Sequence, residues 1–159
     1  MALISAVSYG MGIATHNLPL QAEHNVVIPG EEFPSNVYPW LERCRQTRAT
    51  LQIINRPQEE HAPGKVWNTR LLEAINHNTA VVALSSVHWT DGTLFDLEQI
   101  GQRTRDVLAD VDKRQDTVAR AEIALAEGHA CQLFLRTDDA AHPQRTFGRE
   151  QVAMFPACF

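Results

Sequence analysis

Short apolar runs alternate with segments of helical periodicity along most of the chain. The predicted strands are residues 3–7, 25–28, 50–54 and 79–84. The predicted helices are residues 11–17, 36–45, 66–75 and 96–105. The run at 79–84 is continuously apolar, as in a strand buried on both faces. This alternation is typical of α/β layering.

The pattern changes after residue 107. Residues 110–116 are polar where the alternation would place another buried strand. Apolar spacing then predicts a short amphipathic helix over 118–128, and residues 132–135 fit a strand. We therefore divide the chain into a domain of residues 1–107 and a tail of residues 108–159. Without further strands the 79–84 strand would expose an apolar sheet edge, which favours aggregation.

Composition narrows the class of protein. The net charge of -5 argues against nucleic acid or an anionic membrane as the partner, since both attract clustered Lys and Arg. No apolar run approaches the length that spans a bilayer, and the first residues lack the basic segment of a signal peptide. Three cysteines without a CxxC pair fit a reducing compartment, so we expect a cytoplasmic protein.

Three blocks follow predicted strands: Ser-Ala-Val-Ser-Tyr-Gly at 5–10, Glu-Phe-Pro-Ser-Asn-Val-Tyr-Pro-Trp at 32–40, and Val-His-Trp-Thr-Asp-Gly at 87–92. Over about residues 2–107 they resemble the cofactor-binding half of class V aminotransferases. That family uses pyridoxal 5′-phosphate (PLP) and includes cysteine desulfurases, selenocysteine lyases, kynureninases and isopenicillin N epimerase-like proteins. The resemblance implies part of the large domain of a fold-type I PLP-dependent transferase, with an open, mostly parallel sheet flanked by helices.

The resemblance implies three cofactor-binding residues. Ser8 would bind the phosphate with the amides of a helix N-terminus, or else cap its own helix. Phe33 would stack on the pyridine ring, or else belong to the core beside Pro34. Trp89 matches a position that reaches the ring oxygen, although its indole can only donate through one N–H.

Other candidate chemistry is weaker. His88 and Asp91 could serve an unrelated enzyme as acid and base, yet a lone histidine is more often structural, and we leave His88 unassigned. His129 and Cys131 lack a matching second pair of ligands, so no metal site is predicted. No glycine-rich nucleotide loop or nucleophile elbow is present in the sequence.

The groups that carry PLP chemistry in this family have no match here. The family pairs the pyridinium nitrogen with an Asp in an Asp-x-x-Gln strand and forms a Schiff base with a later Lys. The sequence has only Lys65 and Lys113, and the nearest acid, Asp112, lacks an apolar strand around it. We therefore name no catalytic residue.

The resemblance implies a truncated class V protein. Its parent activity would be PLP-dependent amino-group transfer or desulfurase-type cleavage of a small amino-acid substrate, and family members are homodimers, so we expect a homo-oligomer. The alternative is a non-catalytic remnant that serves as a binding or interaction module. The abrupt change near residue 108 suggests a shifted reading frame or a fusion.

Overall fold

The computed structural model describes residues 6–58, 61–113, 122–127, 130–134 and 152–153. Within these ranges the chain forms four helices and one six-stranded sheet. The helices are α1 Val7–Asn17, α2 Pro34–Thr47, α3 Pro63–Ala74 and α4 Leu97–Lys113. The strands are β1 Asn25–Pro29, β2 Thr50–Ile54, β3 Thr79–Ser85, β4 Glu122–Glu127, β5 Ala130–Phe134 and β6 Val152–Ala153. None of the described helices is long and apolar enough to cross a membrane.

The strands run in the order β2-β1-β3-β4-β5-β6. The first four are mutually parallel, and β5 and β6 are antiparallel additions at one side. Parallel neighbours need a crossover between them, and α2, α3 and α4 supply it. The carboxyl ends of β1, β2 and β3 therefore meet at one edge of the sheet. The predicted α/β class with an open, mostly parallel sheet is confirmed.

Two hydrophobic layers cover the faces of the sheet. Alternate residues of β1 point to opposite sides, so Val26 and Ile28 enter one layer and Val27 the other. The first layer includes Trp40 and Cys44 of α2, and the second is formed mainly by α3 and α4. The main members of the second layer are Trp67, Leu71, Val82, Leu84, Phe95 and Ile100. Every residue of β1 is buried, which explains the apolar run from Val26 to Pro29.

The predicted cap of α4 is confirmed. The Asp96 carboxylate accepts a hydrogen bond from the Gln99 N–H at 3.0 Å, one of the amides that the first helical turn leaves unpaired. The helix continues to Lys113, beyond the predicted end near residue 105. Residues 110–113 of the polar run therefore belong to this helix.

The tail differs from the prediction at one element. Residues 122–127 form the strand β4 and not the end of a helix, while residues 114–121 lie outside the described part. β4 pairs with β3 from Val81 opposite Glu122 to Ser85 opposite Ala126. Because β1 lies on the other side, β3 has a neighbouring strand on both sides. The prediction that β3 would expose an apolar edge was therefore wrong.

The first predicted strand cannot be compared in full. Residues 3–5 lie outside the described part, and Val7 already begins α1.

Candidate functional site

The segments that follow β1, β2 and β3 meet at the carboxyl edge of the sheet, where open α/β sheets bind ligands. The β1–α2 turn comprises residues 30–33, and the β3–α4 loop comprises residues 86–96. Both carry residues of the motifs at 32–40 and 87–92. This edge therefore contains two of the three predicted cofactor residues, Phe33 and Trp89.

The β1–α2 turn has a tightly constrained backbone. The Gly30 N–H donates to the Ile54 carbonyl oxygen at 2.8 Å, which draws the turn against the end of β2. A Cβ atom on Gly30 would lie 2.7 Å from Asn55 Oδ1 and 3.0 Å from Asn55 Cα, so only glycine fits. Glu31 has a φ of 55°, in the left-handed region that costs a non-glycine residue about 1 kcal/mol.

Three consecutive residues of this turn bond to the β3 side of the edge. The Gly30 carbonyl oxygen lies 3.1 Å from His88 Nε2, and the Glu31 carbonyl oxygen accepts from Trp89 Nε1 at 2.7 Å. The Glu32 carboxylate accepts from the Ser85 N–H at 3.0 Å and from the Ser85 hydroxyl at 3.3 Å. These bonds offset the strain at Glu31 and hold the turn and the loop together.

His88 is a buried structural residue of this edge, with 1% of its surface exposed. A carbonyl oxygen can only accept, so Nε2 carries a proton toward Gly30. In the neutral ring Nδ1 then accepts from the Thr90 hydroxyl at 2.9 Å. The ring packs on Trp67 with centroids 4.8 Å apart. Both nitrogens are thus engaged inside the protein, which disfavours His88 as an acid or base acting on a substrate.

Asp91 anchors the tip of the β3–α4 loop. One oxygen accepts from the Thr93 N–H at 2.9 Å, and the other lies 2.8 Å from Arg56 Nε in the segment after β2. Partial desolvation acts to raise the pKa of Asp91, but the Thr93 bonds and the Arg56 charge outweigh it and lower that pKa. A carboxylate held in this way serves the loop rather than proton transfer.

Phe33 and Trp89 form an exposed aromatic pair. Their ring centroids are 5.5 Å apart and the planes meet at 88°, an edge-to-face contact. Half of Phe33 and 57% of Trp89 remain exposed, so Phe33 does not lie in a sealed core. Because the Trp89 N–H is bound to Glu31, the indole has no further donor for a ligand.

Ser8 belongs to a different element from this pair, the helix α1. It is the second residue of α1, behind the N-cap Ala6, so it does not cap the helix itself. The Gly10 N–H bonds to the Ala6 carbonyl oxygen, which leaves the amides before Gly10 without intrahelical partners. Ser8 is exposed, and among the described residues no hydrogen bond or ring contact joins it to Phe33 or Trp89.

Lys65 makes no bond to this site among the described residues. Lys65 is an exposed residue in the first turn of α3, and Lys113 ends α4. Within the same ranges no group of three His, Cys, Asp or Glu side chains is arranged to hold a metal ion.

Glu32 is the residue of this edge to which the sequence assigned no role. It begins the motif at 32–40, yet its carboxylate is buried, with 5% exposure, and bonded to β3. The available signal was local: an acidic residue directly before a helix complements the free amides of its first turn. The contacts of Ser85 and Glu32, 53 positions apart, have no such signal.

The model of the family "Aminotransferase class-V" matches residues 4–127, past residue 107 and through the end of β4. Two curated relatives are probable cysteine desulfurases. That of Mycoplasma genitalium is 22% identical over 55% of this chain and 20% of its own length. The relative from Methanothermobacter thermautotrophicus is 27% identical over 63% of this chain and 24% of its own length. The chain thus spans about a quarter or less of the length of these relatives.

Solved structures show the same fold. A mutant of C-DES with glycine covalently linked to its PLP cofactor has a TM-score of 0.56 at 15% identity, covering 76% of this chain and 29% of that one. The cysteine desulfurase CsdA from Escherichia coli has a TM-score of 0.53 at 14% identity, covering 75% and 27%. Together with the family match over more than half of the sequence, the chain belongs to the class V aminotransferases, a PLP-dependent family of fold type I.

Proposed function

We propose that this chain forms the cofactor-holding part of a PLP site of the cysteine desulfurase type, and that the chain by itself does not catalyse the reaction. The observation that carries the proposal is the Phe33–Trp89 pair, exposed at the carboxyl edge of the sheet. Its backbone anchors hold the pair in place, as a binding platform for a flat ring requires.

The described residues fit the ring of PLP. A pyridine ring stacked on Phe33 would replace water over an aromatic face that is half exposed. Trp89 would contact the pyridine ring through carbon atoms alone, because its N–H already binds Glu31. PLP, when bound, supplies an electron sink for bonds at the α-carbon of an amino acid.

For the phosphate, the N-terminus of α1 fits better than that of α2. The N-terminus of α2 already receives the Glu32 carboxylate at the Phe33 N–H, so a second anion there would be repelled. The first amides of α1 have no intrahelical partner, and the Ser8 hydroxyl beside them is exposed. We therefore assign the phosphate to Ser8 and the first turn of α1.

The catalytic part of the proposal rests on the lysines. Covalent PLP chemistry needs a lysine amine at the ring, whereas Lys65 and Lys113 lie outside the motifs that match the family. Amino-acid cleavage, the homo-oligomer and the cytoplasmic location all remain predictions about the protein to which this chain belongs. The division of the chain into a domain and a tail at residue 107 also remains a prediction.

The same observation favours a second candidate, a non-catalytic module that binds PLP or a partner without turnover. Where either candidate binds the cofactor, it does so non-covalently through the aromatic pair. They differ in whether a larger protein supplies the missing lysine and acid.

The test is binding followed by borohydride reduction. The purified chain is incubated with PLP, freed of excess by gel filtration, reduced, digested and mapped by mass spectrometry. We expect saturable PLP that denaturation releases, with no lysine peptide modified in stoichiometric amount. Stoichiometric modification of Lys65 or Lys113 would show that the chain has its own covalent site. Absence of saturable binding would refute the proposal as a whole.

A further inference from the structure

We infer that Glu32 is the positioning residue of this site, whose buried carboxylate fixes Phe33 in the orientation that a flat ligand meets. The inference rests on the proposed function for the ligand, but its structural part concerns the ligand-free protein. Glu32 lies between the end of β1 and the start of α2, and it contacts both α2 and β3.

Both carboxylate oxygens of Glu32 are used. Oε1 accepts from the Phe33 N–H at 2.8 Å, and Oε2 accepts from the Ser85 N–H at 3.0 Å and the Ser85 hydroxyl at 3.3 Å. One carboxylate therefore joins the residue that carries the stacking ring to the last residue of β3. Hydrogen bonds to an ionised acceptor are shorter and stronger than those between neutral groups.

The contact reaches the backbone of Phe33 directly. Phe33 is the N-cap residue of α2, with φ of -60° and ψ of 134°, and no side chain caps the helix there. Its N–H is fixed by Oε1 on one side of the residue, and its carbonyl oxygen accepts from the Asn36 N–H at 2.8 Å on the other. The peptide groups that flank Phe33 thus set the direction of its Cα–Cβ bond, and the contact with Trp89 then orients the ring.

The hydrogen-bond donors around Glu32 explain why a carboxylate is required. All three groups facing Glu32 donate protons, and an ionised carboxylate only accepts. A glutamine of the same shape would turn its NH2 group toward one of these donors. Either Phe33 or Ser85 would then lose its bond, and the two turns would separate at the aromatic pair.

The test compares Glu32→Gln with the wild type and with Glu98→Gln. Glu98 is an exposed residue of the first turn of α4, and its substitution removes the same charge without removing a bond to the pair. Ligand affinity is measured with pyridoxamine 5′-phosphate, which cannot bond covalently to a lysine. Conformation is measured by acrylamide quenching of tryptophan, which reports mainly on Trp89 because Trp40 and Trp67 are buried.

We expect Glu32→Gln to weaken the binding of pyridoxamine 5′-phosphate by about tenfold or more, the loss that one charged hydrogen bond accounts for. We also expect it to raise the quenching constant. Glu98→Gln should match the wild type in both measurements. Wild-type affinity together with wild-type quenching in Glu32→Gln would overturn the inference.

Two outcomes separate this inference from the proposed function. If the wild type binds no ligand, the proposed function fails, and the quenching of the ligand-free Glu32→Gln protein alone decides the role of Glu32. If Glu32→Gln does not fold, amide hydrogen exchange of the wild type decides it. The Phe33 and Ser85 amides should then be protected to a similar degree, since they share one acceptor, and an unprotected Phe33 amide would overturn the inference.

Discussion

The indole N–H of Trp89 donates to the carbonyl oxygen of Glu31 at 2.7 Å, across 58 positions of sequence. This bond uses the one polar atom of the indole and leaves its carbon surface exposed beside Phe33. It also gives a partner to the carbonyl of a residue held in the left-handed region. This one hydrogen bond therefore links the left-handed residue of the β1–α2 turn to the aromatic pair.

Trp89→Phe tests that bond. The variant keeps an aromatic ring near Phe33 but loses both the donor to Glu31 and the second ring of the indole. We expect the free energy of unfolding to fall by about 0.5–1.5 kcal/mol, the net worth of one hydrogen bond. Urea denaturation measures it, with Tyr38→Phe, the loss of an exposed side-chain hydroxyl, as the control. Equal midpoints for Trp89→Phe and the wild type would contradict the role of this bond.

Gly30→Ala tests the close approach of β1 and β2. The new methyl group would meet the Asn55 backbone at 3.0 Å, and backbone cannot move aside cheaply. We expect a loss of about 1–3 kcal/mol in the free energy of unfolding.

Gly12→Ala is the matched control for that substitution. Its Cβ would have no atom within 4 Å, and Gly12 lies inside α1. Alanine there should stabilise the protein by roughly 0.5–1 kcal/mol because glycine is a poor helix former. If Gly30→Ala also stabilises the protein, the turn is not packed as described.

Arg48→Gly should stabilise the protein. Arg48 is the C-cap of α2 with φ of 63° and ψ of 17°, a conformation that glycine adopts without steric cost. We expect a gain of up to about 1 kcal/mol, since relief of the left-handed strain exceeds the added entropy of the unfolded chain. Arg45→Gly, inside the same helix, should destabilise by about 1 kcal/mol in the same denaturation experiment. A destabilised Arg48→Gly variant would contradict this geometry.

The stability of the fold should fall at alkaline pH through Cys44. Burial raises the pKa of its thiol from 9.0 to about 11, because the thiolate is poorly solvated inside the protein. The stabilising contribution is complete below pH 9 and is lost as the pH rises toward 11, where the unfolded chain gains the thiolate first. Urea unfolding between pH 8 and about 11 should show a steeper decline for the wild type than for Cys44→Ala. Parallel curves would show that Cys44 is not buried as described.

The sequence predicted most elements of the sheet because their signals are local. The runs at 25–28, 50–54 and 79–84 are apolar segments ended by turn residues, and each forms a strand within one residue of its predicted bounds. The helix cap at Asp96 was likewise readable from residue type alone. β1 and β3 are buried, as their apolar runs predict, whereas β2 is a partly exposed edge strand that its turn boundaries indicate.

The strand β4 shows where local signals end. Its sequence Glu-Ile-Ala-Leu-Ala-Glu consists mostly of good helix formers, so propensity favours a helix. Pairing with β3 over Val81 to Ser85 decides the outcome, because it satisfies backbone groups that β3 would otherwise leave open. Such a non-local term cannot be read from a short window of sequence.

The candidate site divides in the same way. Phe33 and Trp89 were identified from motifs, and the structure brings their rings into contact. The bonds that hold His88 and Trp89 go to the carbonyl groups of Gly30 and Glu31, which every residue possesses, so no residue type indicates them. The positive φ of Glu31 was also hidden, because the usual signals of that conformation are glycine and asparagine.

The central claim is that Phe33 holds a pyridine ring, and equilibrium dialysis of pyridoxamine 5′-phosphate against Phe33→Ala tests it most directly. Tyr38→Ala is the control, an exposed aromatic residue of α2 outside the ring contact with Trp89. Loss of one stacking face should weaken binding by roughly tenfold, while Tyr38→Ala should bind as the wild type does. Equal affinity for all three proteins would contradict the account, and so would an equal loss in the two variants.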